Sequence, residues 1–361
     1  MEVDYIIVGQ GISGSFLSWY LIQAGKKVMV IDQPQPYTAS KVASGVINPV
    51  TGRRIVSTWM IETLMPFALD AYTNMGETLG ANLISQANIL DFHPTPQMKL
   101  AFEERLPVEN KYLRYPDNAT AYEQYFNYYF GIGEINPCYL IDVNLLLDNW
   151  RKALKTQNAL LEETFDINKL VIANSSPLNT HHSPLTTYNL RLTTKKLIFC
   201  DGAAGFNNPY FSLLPYAKNK GEAIITEIKD LPRNNIYKQG INIVPWKDNL
   251  WWIGSTYEWD FKDLNPTPAF RAKVEQQLSQ WLKLPYTIVD HIASERPANL
   301  ERRPFVGFHP KHPNIGILNG MGTKGCSLAP YFAKQLADNL VNGTPLLPQA
   351  DVQRFSKVLS R

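Results

Sequence analysis

The chain has 361 residues, of which 45% are hydrophobic, 12% aromatic and 19% charged. This composition excludes a disordered chain and a small disulfide-stapled scaffold, and the length predicts two folded domains. Lysine plus arginine outnumber the acidic residues by only 35 to 32, a balance too even for a chain that binds nucleic acid by itself, so small-molecule chemistry is favoured.

The cysteines and the N-terminus bear on the compartment. Cys138, Cys200 and Cys326 are widely spaced and form no C-x-x-C pair, which indicates neither disulfides nor a zinc site. The N-terminus lacks a basic secretory start, and its first apolar run stops at Gly9, short of the ~20 residues that cross a bilayer. We expect a cytoplasmic protein without a membrane partner.

The chain opens with a strand-helix-strand pattern. An apolar run, Tyr5–Val8, predicts a strand buried on both faces, and a G-x-G-x-x-G turn follows at Gly9–Gly14. Apolar residues then recur at helical spacing, and a second apolar run, Val28–Ile31, ends at Asp32. This is the arrangement of a dinucleotide-binding βαβ unit, with an ordinary glycine turn as the alternative.

Each residue of the turn has a predicted role. Gly9 allows the tight turn, Gly11 lets the backbone approach a pyrophosphate, and Gly14 lets the helix pack against the strand. Ile12 and Ser13 begin that helix, whose N–H groups and dipole would face the anion. Asp32 would accept the ribose hydroxyls, and an acid at this position argues against a 2′-phosphate.

Two later turns favour a flavin over a nicotinamide. The segment 195–205 is a short apolar strand that runs into small residues, and 315–325 repeats this device before a further helix. A helix N-terminus at the second turn would face the flavin N1 and C2 carbonyl, where negative charge gathers on reduction.

Six further motifs follow the opening βαβ unit along the chain. They are Ala39–Pro49, Tyr139–Asp142, Phe199–Ala203, Arg296–Pro297, Arg303–Gly307 and Gly320–Gly325. In the order and spacing of these motifs, the sequence resembles the D-amino-acid oxidase (DAO) family of FAD-dependent oxidoreductases. Within that family it is most similar to glycine oxidase, sarcosine oxidase and the FAD domain of an enzyme that modifies wobble uridine in tRNA.

The resemblance implies an α/β fold, with a Rossmann-type FAD-binding domain and a discontinuous, mixed-sheet α+β substrate domain. The FAD-binding domain would comprise 1–75, 138–205 and 295–361, and the substrate domain 76–137 and 206–294. Aromatic residues crowd both insertions, and packing is the favoured role for them over substrate contact. They are Tyr122, Tyr125, Phe126, Tyr128, Tyr129 and Phe130 in the first insertion, and Trp246, Trp251, Trp252 and Trp259 in the second.

The resemblance also implies a set of residues that bind FAD without a covalent bond, since Cys326, the only cysteine near the predicted flavin site, does not align with the family's attachment sites. Segment 165–171 would meet the adenine. The cofactor-binding residues implied by motif and resemblance together are Gly9, Gly11, Ile12, Ser13, Gly14, Asp32, Gln33, Ser40, Ala43, Ser44, Gly45, Ile47, Asp201, Gly202, Gly322, Thr323, Lys324 and Gly325.

Arg296 is the residue that the resemblance assigns to the substrate. The family has an Arg-Pro pair here, and its guanidinium makes two parallel hydrogen bonds to the substrate carboxylate. Both groups are planar, so lysine does not reproduce this geometry. Arg302 and Arg303 are the neighbouring alternatives. Arg53 and Arg54 follow the flavin loop, where phosphate contact and surface exposure are equally expected. Lys220 stands where the family's Arg-Gly segment has arginine.

The resemblance implies oxidation of the C–N bond of a small amine or amino acid, by hydride transfer to flavin N5. Lys324 would supply positive charge beside the flavin and Tyr257 would line the pocket. A 2-hydroxy-acid dehydrogenase is one alternative, and it calls for a histidine near the flavin. The other is a tRNA-modifying FAD domain that acts with a partner. His181, His182, His309 and His312 predict no metal site.

Overall fold

The computed structural model describes residues 2–52, 54–167, 170–172, 185–187 and 192–361. The chain divides into two compact units. Unit 1 comprises residues 1–41, 145–219 and 295–361, and unit 2 comprises residues 42–144 and 220–294. Each unit is therefore assembled from segments that are separated in the sequence.

The described strands and helices have the following bounds. The strands are β1 (Glu2–Val8), β2 (Val28–Ile31), β3 (Val46–Ile47), β4 (Val50–Thr51), β5 (Val56–Ser57), β6 (Ile84–Gln86), β7 (Asn88–Phe92), β8 (Leu113–Arg114), β9 (Ile132–Ile135), β10 (Tyr139–Ile141), β11 (Leu160–Leu161), β12 (Leu170–Ile172), β13 (Leu185–Thr187), β14 (Leu192–Phe199), β15 (Asn219–Ile228), β16 (Asn235–Gln239), β17 (Ile241–Pro245), β18 (Trp251–Gly254), β19 (Tyr286–Arg296), β20 (Phe305–Phe308) and β21 (Ile315–Asn319). The α-helices are α1 (Ile12–Gln23), α2 (Ala39–Val42), α3 (Ile61–Leu79), α4 (Pro96–Arg105), α5 (Val143–Thr156), α6 (Pro268–Trp281), α7 (Gly325–Asn342) and α8 (Ser356–Leu359).

Unit 1 is built on a mixed sheet with the strand order β11-β2-β1-β14-β13-β12. Strands β11, β2, β1, β14 and β21 are parallel to one another. The first residues of β14 pair with β13 and its last residues with β21, which in turn pairs with β20. The predicted βαβ unit is therefore present, and the register places Val8 beside both Ile31 and Phe199.

The central strands of this sheet are buried on both faces, as their continuous apolar sequences predict. Ile6 and Val8 belong to a cluster that also includes Phe199, and the intervening Ile7 is completely buried as well. Helix α1 packs along α7. Every residue of α1 from Ile12 to Leu21 is buried, and its small residues permit the close approach of its neighbours.

Unit 2 is built on an eight-stranded sheet with the order β19-β15-β18-β17-β16-β7-β9-β8. A three-stranded sheet, β3-β10-β6, and the hairpin β4-β5 accompany it. Its core is rich in aromatic residues: Phe126 stacks on Trp281 with their ring centroids 4.8 Å apart, and both belong to one buried cluster. Trp251 belongs to the same cluster and Tyr122, Tyr125 and Tyr128 pack against it, whereas Tyr129 and Trp259 are exposed.

The mixed α/β architecture with several sheets confirms the predicted fold class. The bounds of the units differ from the predicted domain segments, because residues 42–75 and 138–144 group with unit 2 and residues 206–219 with unit 1. Which unit binds cofactor and which binds substrate stays a prediction. In the described part of the chain, no helix combines the length and apolar character needed to span a membrane.

Candidate cofactor and active site

Four loops of unit 1 follow the carboxyl ends of the parallel strands. They are the glycine turn after β1, Asp32 after β2, the Cys200–Gly202 turn after β14 and the Gly320–Gly325 turn after β21. Carboxyl ends of parallel strands lie at one edge of a sheet, where α/β proteins bind their ligands. The tertiary structure thus brings most of the predicted cofactor residues of unit 1 to a single edge.

The glycine turn depends on the absence of side chains at two of its positions. Gly9 has a φ of +100°, and a Cβ there would lie 2.5 Å from the carbonyl oxygen of Cys200. A Cβ on Gly14 would overlap the carbonyl oxygen of Gly9. These contacts hold the start of α1 against the ends of β1 and β14, as the motif predicts.

The N-terminus of α1 keeps backbone donors available to a ligand. Its first bond of the helical type runs from the Ser15 N–H to the Gly11 carbonyl. The hydroxyl of Ser40 accepts the N–H of Ile12 at 3.1 Å, so this predicted cofactor residue caps the helix. Within the described residues, the N–H groups of Ser13 and Gly14 have no hydrogen-bond partner, which suits an anion.

A second helix N-terminus lies beside the first. A Cβ on Gly325, the first residue of α7, would lie 3.6 Å from Cγ2 of Ile12. Lys324 is the N-cap residue of α7 and makes no side-chain capping hydrogen bond, and Thr323 before it is exposed. Two helix dipoles therefore place their positive ends next to each other at the edge of the sheet.

The acid at the end of β2 is held by an arginine that sequence reasoning did not identify. Asp32 Oδ2 accepts a hydrogen bond from Arg151 Nη1 at 2.7 Å, and its Oδ1 accepts the N–H of Gln10 at 2.9 Å. Arg151 lies on α5 with no motif around it, so no sequence signal marks it. Gln33, also predicted to bind the cofactor, is exposed and accepts a hydrogen bond from the Thr164 hydroxyl.

Asp201 lies in a polar cluster at the ends of β14 and β21. Its two carboxylate oxygens accept hydrogen bonds from the side-chain amides of Asn319 at 2.9 Å and Asn208 at 3.2 Å. Burial raises the pKa of Asp201 from 3.8 to about 6, although these hydrogen bonds favour its ionised form. The following Gly202 has a φ of +56°, a conformation that favours glycine.

Arg296 is tied to the turn that begins α7. Its Nη1 donates to Oδ1 of the buried Asn219 at 2.5 Å. The carbonyl oxygen of the next residue, Pro297, accepts the N–H of Gly322 at 3.0 Å. The predicted substrate residue and the predicted flavin turn thus lie close together, although β20 and β21 separate them in the sequence. Asn219 was not identified by sequence reasoning, because a single asparagine at the start of a strand has no distinctive pattern.

The neighbouring arginines are placed differently. Arg302 is exposed and has a φ of +55°. Arg303 is half-buried, donates to the carbonyl oxygen of Arg302 at 3.1 Å, and has its pKa lowered by burial. Arg53 lies outside the described residues, as do parts of the predicted adenine-contacting segment and the pair His181 and His182.

The remaining predicted site residues belong to unit 2. Ala43 and Ser44 are half-buried, Ile47 is buried in β3, and Gly45 has a φ of +82° with its α-carbon against the carbonyl of Ile141. Tyr257 is 60% exposed. It lies in the segment between β18 and α6, which the structure ties to β15 through main-chain hydrogen bonds between Lys220 and Glu258.

Lys220 is almost completely buried, in contrast to a typical lysine. Its Nζ donates to the carbonyl oxygen of Asn265 at 2.6 Å and lies 3.4 Å from Oε1 of the buried Glu222. Glu222 also accepts hydrogen bonds from the N–H and the hydroxyl of Thr267. The lysine at this position therefore anchors the 255–267 segment to β15.

The residues of unit 1 suit a dinucleotide with a pyrophosphate. The glycine turn leaves the backbone uncovered, two helix N-termini lie side by side, and a carboxylate follows β2.

The sequence matches the family described as FAD dependent oxidoreductase (DAO) over residues 4–339. The chain belongs to this family. The predicted resemblance is therefore confirmed, and the protein is an FAD-dependent oxidoreductase.

Solved structures of this fold cover almost the entire chain. Glycine oxidase from Bacillus cereus ATCC 14579 is 16% identical with a TM-score of 0.78, and covers 95% of this chain and 96% of its own. Iminodiacetate oxidase from Chelativorans sp. BNC1 is 18% identical with a TM-score of 0.74, and covers 96% of this chain and 98% of its own.

A curated relative shares a shorter region. The uncharacterized oxidoreductase YurR of Bacillus subtilis (strain 168) is 38% identical over 56 residues. The matched region covers 16% of the chain described here and 15% of the relative's own length.

Proposed function

We propose that this FAD-dependent oxidoreductase oxidises the C–N bond of a small amine or amino acid that has a carboxylate. The observation that carries the proposal is the position of Arg296, whose neighbour Pro297 is hydrogen-bonded to Gly322 in the turn before α7. A cation beside the flavin turn would bind the substrate carboxylate close to the reacting carbon.

The environment of Arg296 suits a carboxylate ligand. The guanidinium is planar and presents donors in a fixed fork, which matches the two oxygens of a carboxylate. Asn219 holds one end of this fork by accepting from Nη1, and the amide itself is buried. Glycine and iminodiacetate, the compounds named in two of the structural neighbours, are both amines with carboxylates.

The cofactor assignment extends the same proposal. The α1 N-terminus would hold the pyrophosphate, Asp32 the ribose, and the Gly322–Gly325 turn the pyrimidine end of the flavin. The resemblance further assigns residues Ala43 to Ile47 to cofactor binding, Lys324 to a positive charge beside the flavin and Tyr257 to the substrate pocket. Bound FAD would supply the hydride acceptor, and the resulting iminium would lose a proton and hydrolyse to a carbonyl compound and an amine.

The FAD would be held without a covalent bond. Cys138, Cys200 and Cys326 are all buried thiols in this fold. Acid precipitation of the holoprotein should therefore release all of the yellow colour into the supernatant. The cytoplasmic location belongs to the same proposal and rests on the sequence alone.

The positions of His309 and His312 favour an amine over a 2-hydroxy acid. His309 and His312 lie in the turn between β20 and β21, where the His309 N–H donates to the Ile315 carbonyl oxygen. This turn precedes β21, whereas the flavin turn follows it. Oxidation of an alcohol calls for a base near the flavin, and neither of these two histidines is at the cofactor edge.

Anaerobic reduction of the bound flavin tests the substrate class. Glycine, sarcosine, D- and L-amino acids and 2-hydroxy acids are added separately to the purified holoprotein, and the flavin absorbance is followed. We expect bleaching by one or more of the amines only, and the return of colour in air would mark an oxidase. Bleaching by a hydroxy acid alone would contradict the proposal, and no bleaching except with a tRNA and a partner protein would favour the RNA-modifying alternative.

The Arg296→Met variant tests the site. We expect its KM for a carboxylate substrate to rise by about a hundredfold, because a charged hydrogen-bonding pair is lost. Arg302→Met, which removes an exposed arginine of the same loop, is the matched control and should leave KM unchanged. If the two variants behave alike, Arg296 does not bind the substrate.

A further inference from the structure

Arg151 joins three parts of unit 1. Its Nη1 donates to Asp32 Oδ2 at 2.7 Å and to Gln10 Oε1 at 2.8 Å, and its Nη2 donates to the main-chain oxygen of Asp32 at 2.9 Å. Its Nε donates to Glu162 at 2.8 Å. Only 16% of the arginine side chain is exposed, so these contacts are shielded from water.

The contacts leave part of the Asp32 carboxylate open. An ionised carboxylate has about four lone-pair sites for hydrogen bonds. In Asp32 one is taken by the Gln10 N–H and one by Arg151, and 23% of the side chain is exposed. Each carboxylate oxygen of Asp32 thus accepts one hydrogen bond from the protein. About two lone-pair sites remain for the two hydroxyls of a ribose.

Gln10 makes this arrangement rigid. Its side chain is buried, and its Nε2 donates to the Ser15 hydroxyl at 3.1 Å and to the Leu147 carbonyl at 3.0 Å. The Oε1 of the same amide accepts from Arg151. The guanidinium therefore has a fixed acceptor beside Asp32 and cannot move without breaking a buried hydrogen bond.

We propose that Arg151 is a positioning residue of the FAD site, which holds the Asp32 carboxylate in the orientation that accepts the ribose hydroxyls. The inference rests on the proposed role of Asp32. Holding the carboxylate in advance lowers the entropy lost when the cofactor binds. The fork is essential, because its Nη1 and Nη2 atoms contact the side chain and the main chain of one residue at the same time.

A matched control is present on the same helix. The Lys155 Nζ lies 2.7 Å from Oε2 of Glu162, the acid that also accepts from Arg151, and 52% of the lysine side chain is exposed. Lys155→Met therefore removes an ion pair to the same acid without touching Asp32 or Gln10.

The test is a titration of apoprotein variants with FAD, with the dissociation constant taken from the change in flavin fluorescence. We expect Arg151→Met to raise the Kd for FAD by about tenfold or more, the loss typical of a hydrogen bond to a charged group. Arg151→Lys, which keeps the charge but not the fork, should show most of this rise. Lys155→Met should stay within about twofold of the wild type.

A double-mutant cycle shows whether Arg151 acts through Asp32. If it does, Arg151→Met combined with Asp32→Asn binds FAD no more weakly than Asp32→Asn alone. Additive losses would overturn the inference, because they would mean that the arginine acts independently. The thermal midpoint of each apoprotein identifies variants that fail to fold. If Arg151→Met fails to fold, Arg151→Lys replaces it in the FAD titration and in the double-mutant cycle.

The remaining outcomes separate the two proposals. If Asp32→Asn weakens FAD binding but Arg151→Met does not, the inference about Arg151 is wrong and the ribose assignment stands. Tighter binding by Arg151→Met would show that the arginine competes with the ribose for the carboxylate, which also overturns the inference. If Asp32→Asn binds FAD as the wild type does, the ribose assignment itself is wrong.

Discussion

The α-carbon of Gly14 lies against the carbonyl oxygen of Gly9, so closely that a Cβ on Gly14 would overlap that oxygen. The two glycines begin and end one turn, in which the backbone N–H groups of Ser13 and Gly14 have no hydrogen-bond partner among the described residues. The helix can start at this distance from β1 only because both residues lack side chains.

Replacing Gly14 tests this packing. Gly14→Ala should lower the free energy of unfolding by about 1–3 kcal/mol, because the methyl group must displace main chain, and it should reduce the FAD content of the purified protein. Urea denaturation and the ratio of flavin to protein absorbance measure these effects. Gly25→Asn is the control, since Gly25 has a φ of +72° and no neighbour within 4 Å, and asparagine tolerates that conformation. Equal stability of Gly14→Ala and the wild type would contradict the prediction.

Asp201 should make stability depend on pH. Its folded-state pKa is raised to about 6 from 3.8, so the native state holds a proton that the unfolded chain has already lost. The stabilisation is present near about pH 4 and lost as the pH rises through about 6. Relative to Asp201→Asn, the wild type should lose about 1–3 kcal/mol of unfolding free energy over this range.

Urea denaturation of the apoproteins over this pH range checks the prediction. The exposed Asp70 provides the control, and Asp70→Asn should leave the pH profile of the wild type unchanged. A constant difference between wild type and Asp201→Asn at all pH values would show that the Asp201 proton is not retained on folding.

Asn219 should matter for substrate binding rather than for the chemical step. Asn219→Ala removes the acceptor of the Arg296 Nη1 hydrogen bond, one of the contacts that orient the guanidinium. We expect KM for a carboxylate substrate to rise by about tenfold with kcat largely unchanged, as a lost hydrogen bond to a charged group predicts. Steady-state kinetics separate the two parameters. A lower kcat at unchanged KM would place Asn219 in a different role.

The buried pair of Lys220 and Glu222 should be costly to break. The two side chains are 2% and 0% exposed, so Lys220→Met removes the cation beside one oxygen of a buried carboxylate and should cost about 3–5 kcal/mol. The exposed pair of Lys99 and Glu103 on α4 serves as the control, and Lys99→Met should change stability by about 0.5 kcal/mol or less. Chemical denaturation measures the free energy of unfolding of both variants. Equal losses for Lys220→Met and Lys99→Met would contradict a stabilising buried pair.

Much of unit 1 could be predicted from the sequence because its signals are local. The apolar run before Gly9, the glycine spacing and the acid after Val28–Ile31 lie within one short segment and define one supersecondary unit. The second glycine turn, before α7, was identified in the same way. These local features, taken in order, also sufficed to identify the family.

The division of the chain could not be predicted to the residue. The loop from Ala43 to Ile47 and Ile141, on which its backbone packs, were both assigned to the cofactor domain by the resemblance, whereas both belong to unit 2. A motif carries information about what a loop contacts in a family, whereas packing within a compact unit depends on pairings such as that of β3 with β10.

The sequence by itself determined the βαβ unit, because that unit follows from spacing within a few residues. It also determined the family and the type of cofactor, because these follow from the order of several short motifs along the chain. Only the tertiary structure decided which side chains support the predicted ones. Arg151 and Asp32 are 119 positions apart, and Asn219 and Arg296 are 77 apart. Hydrogen bonds across such separations follow from the packing of strands and helices, and neither composition nor periodicity records them.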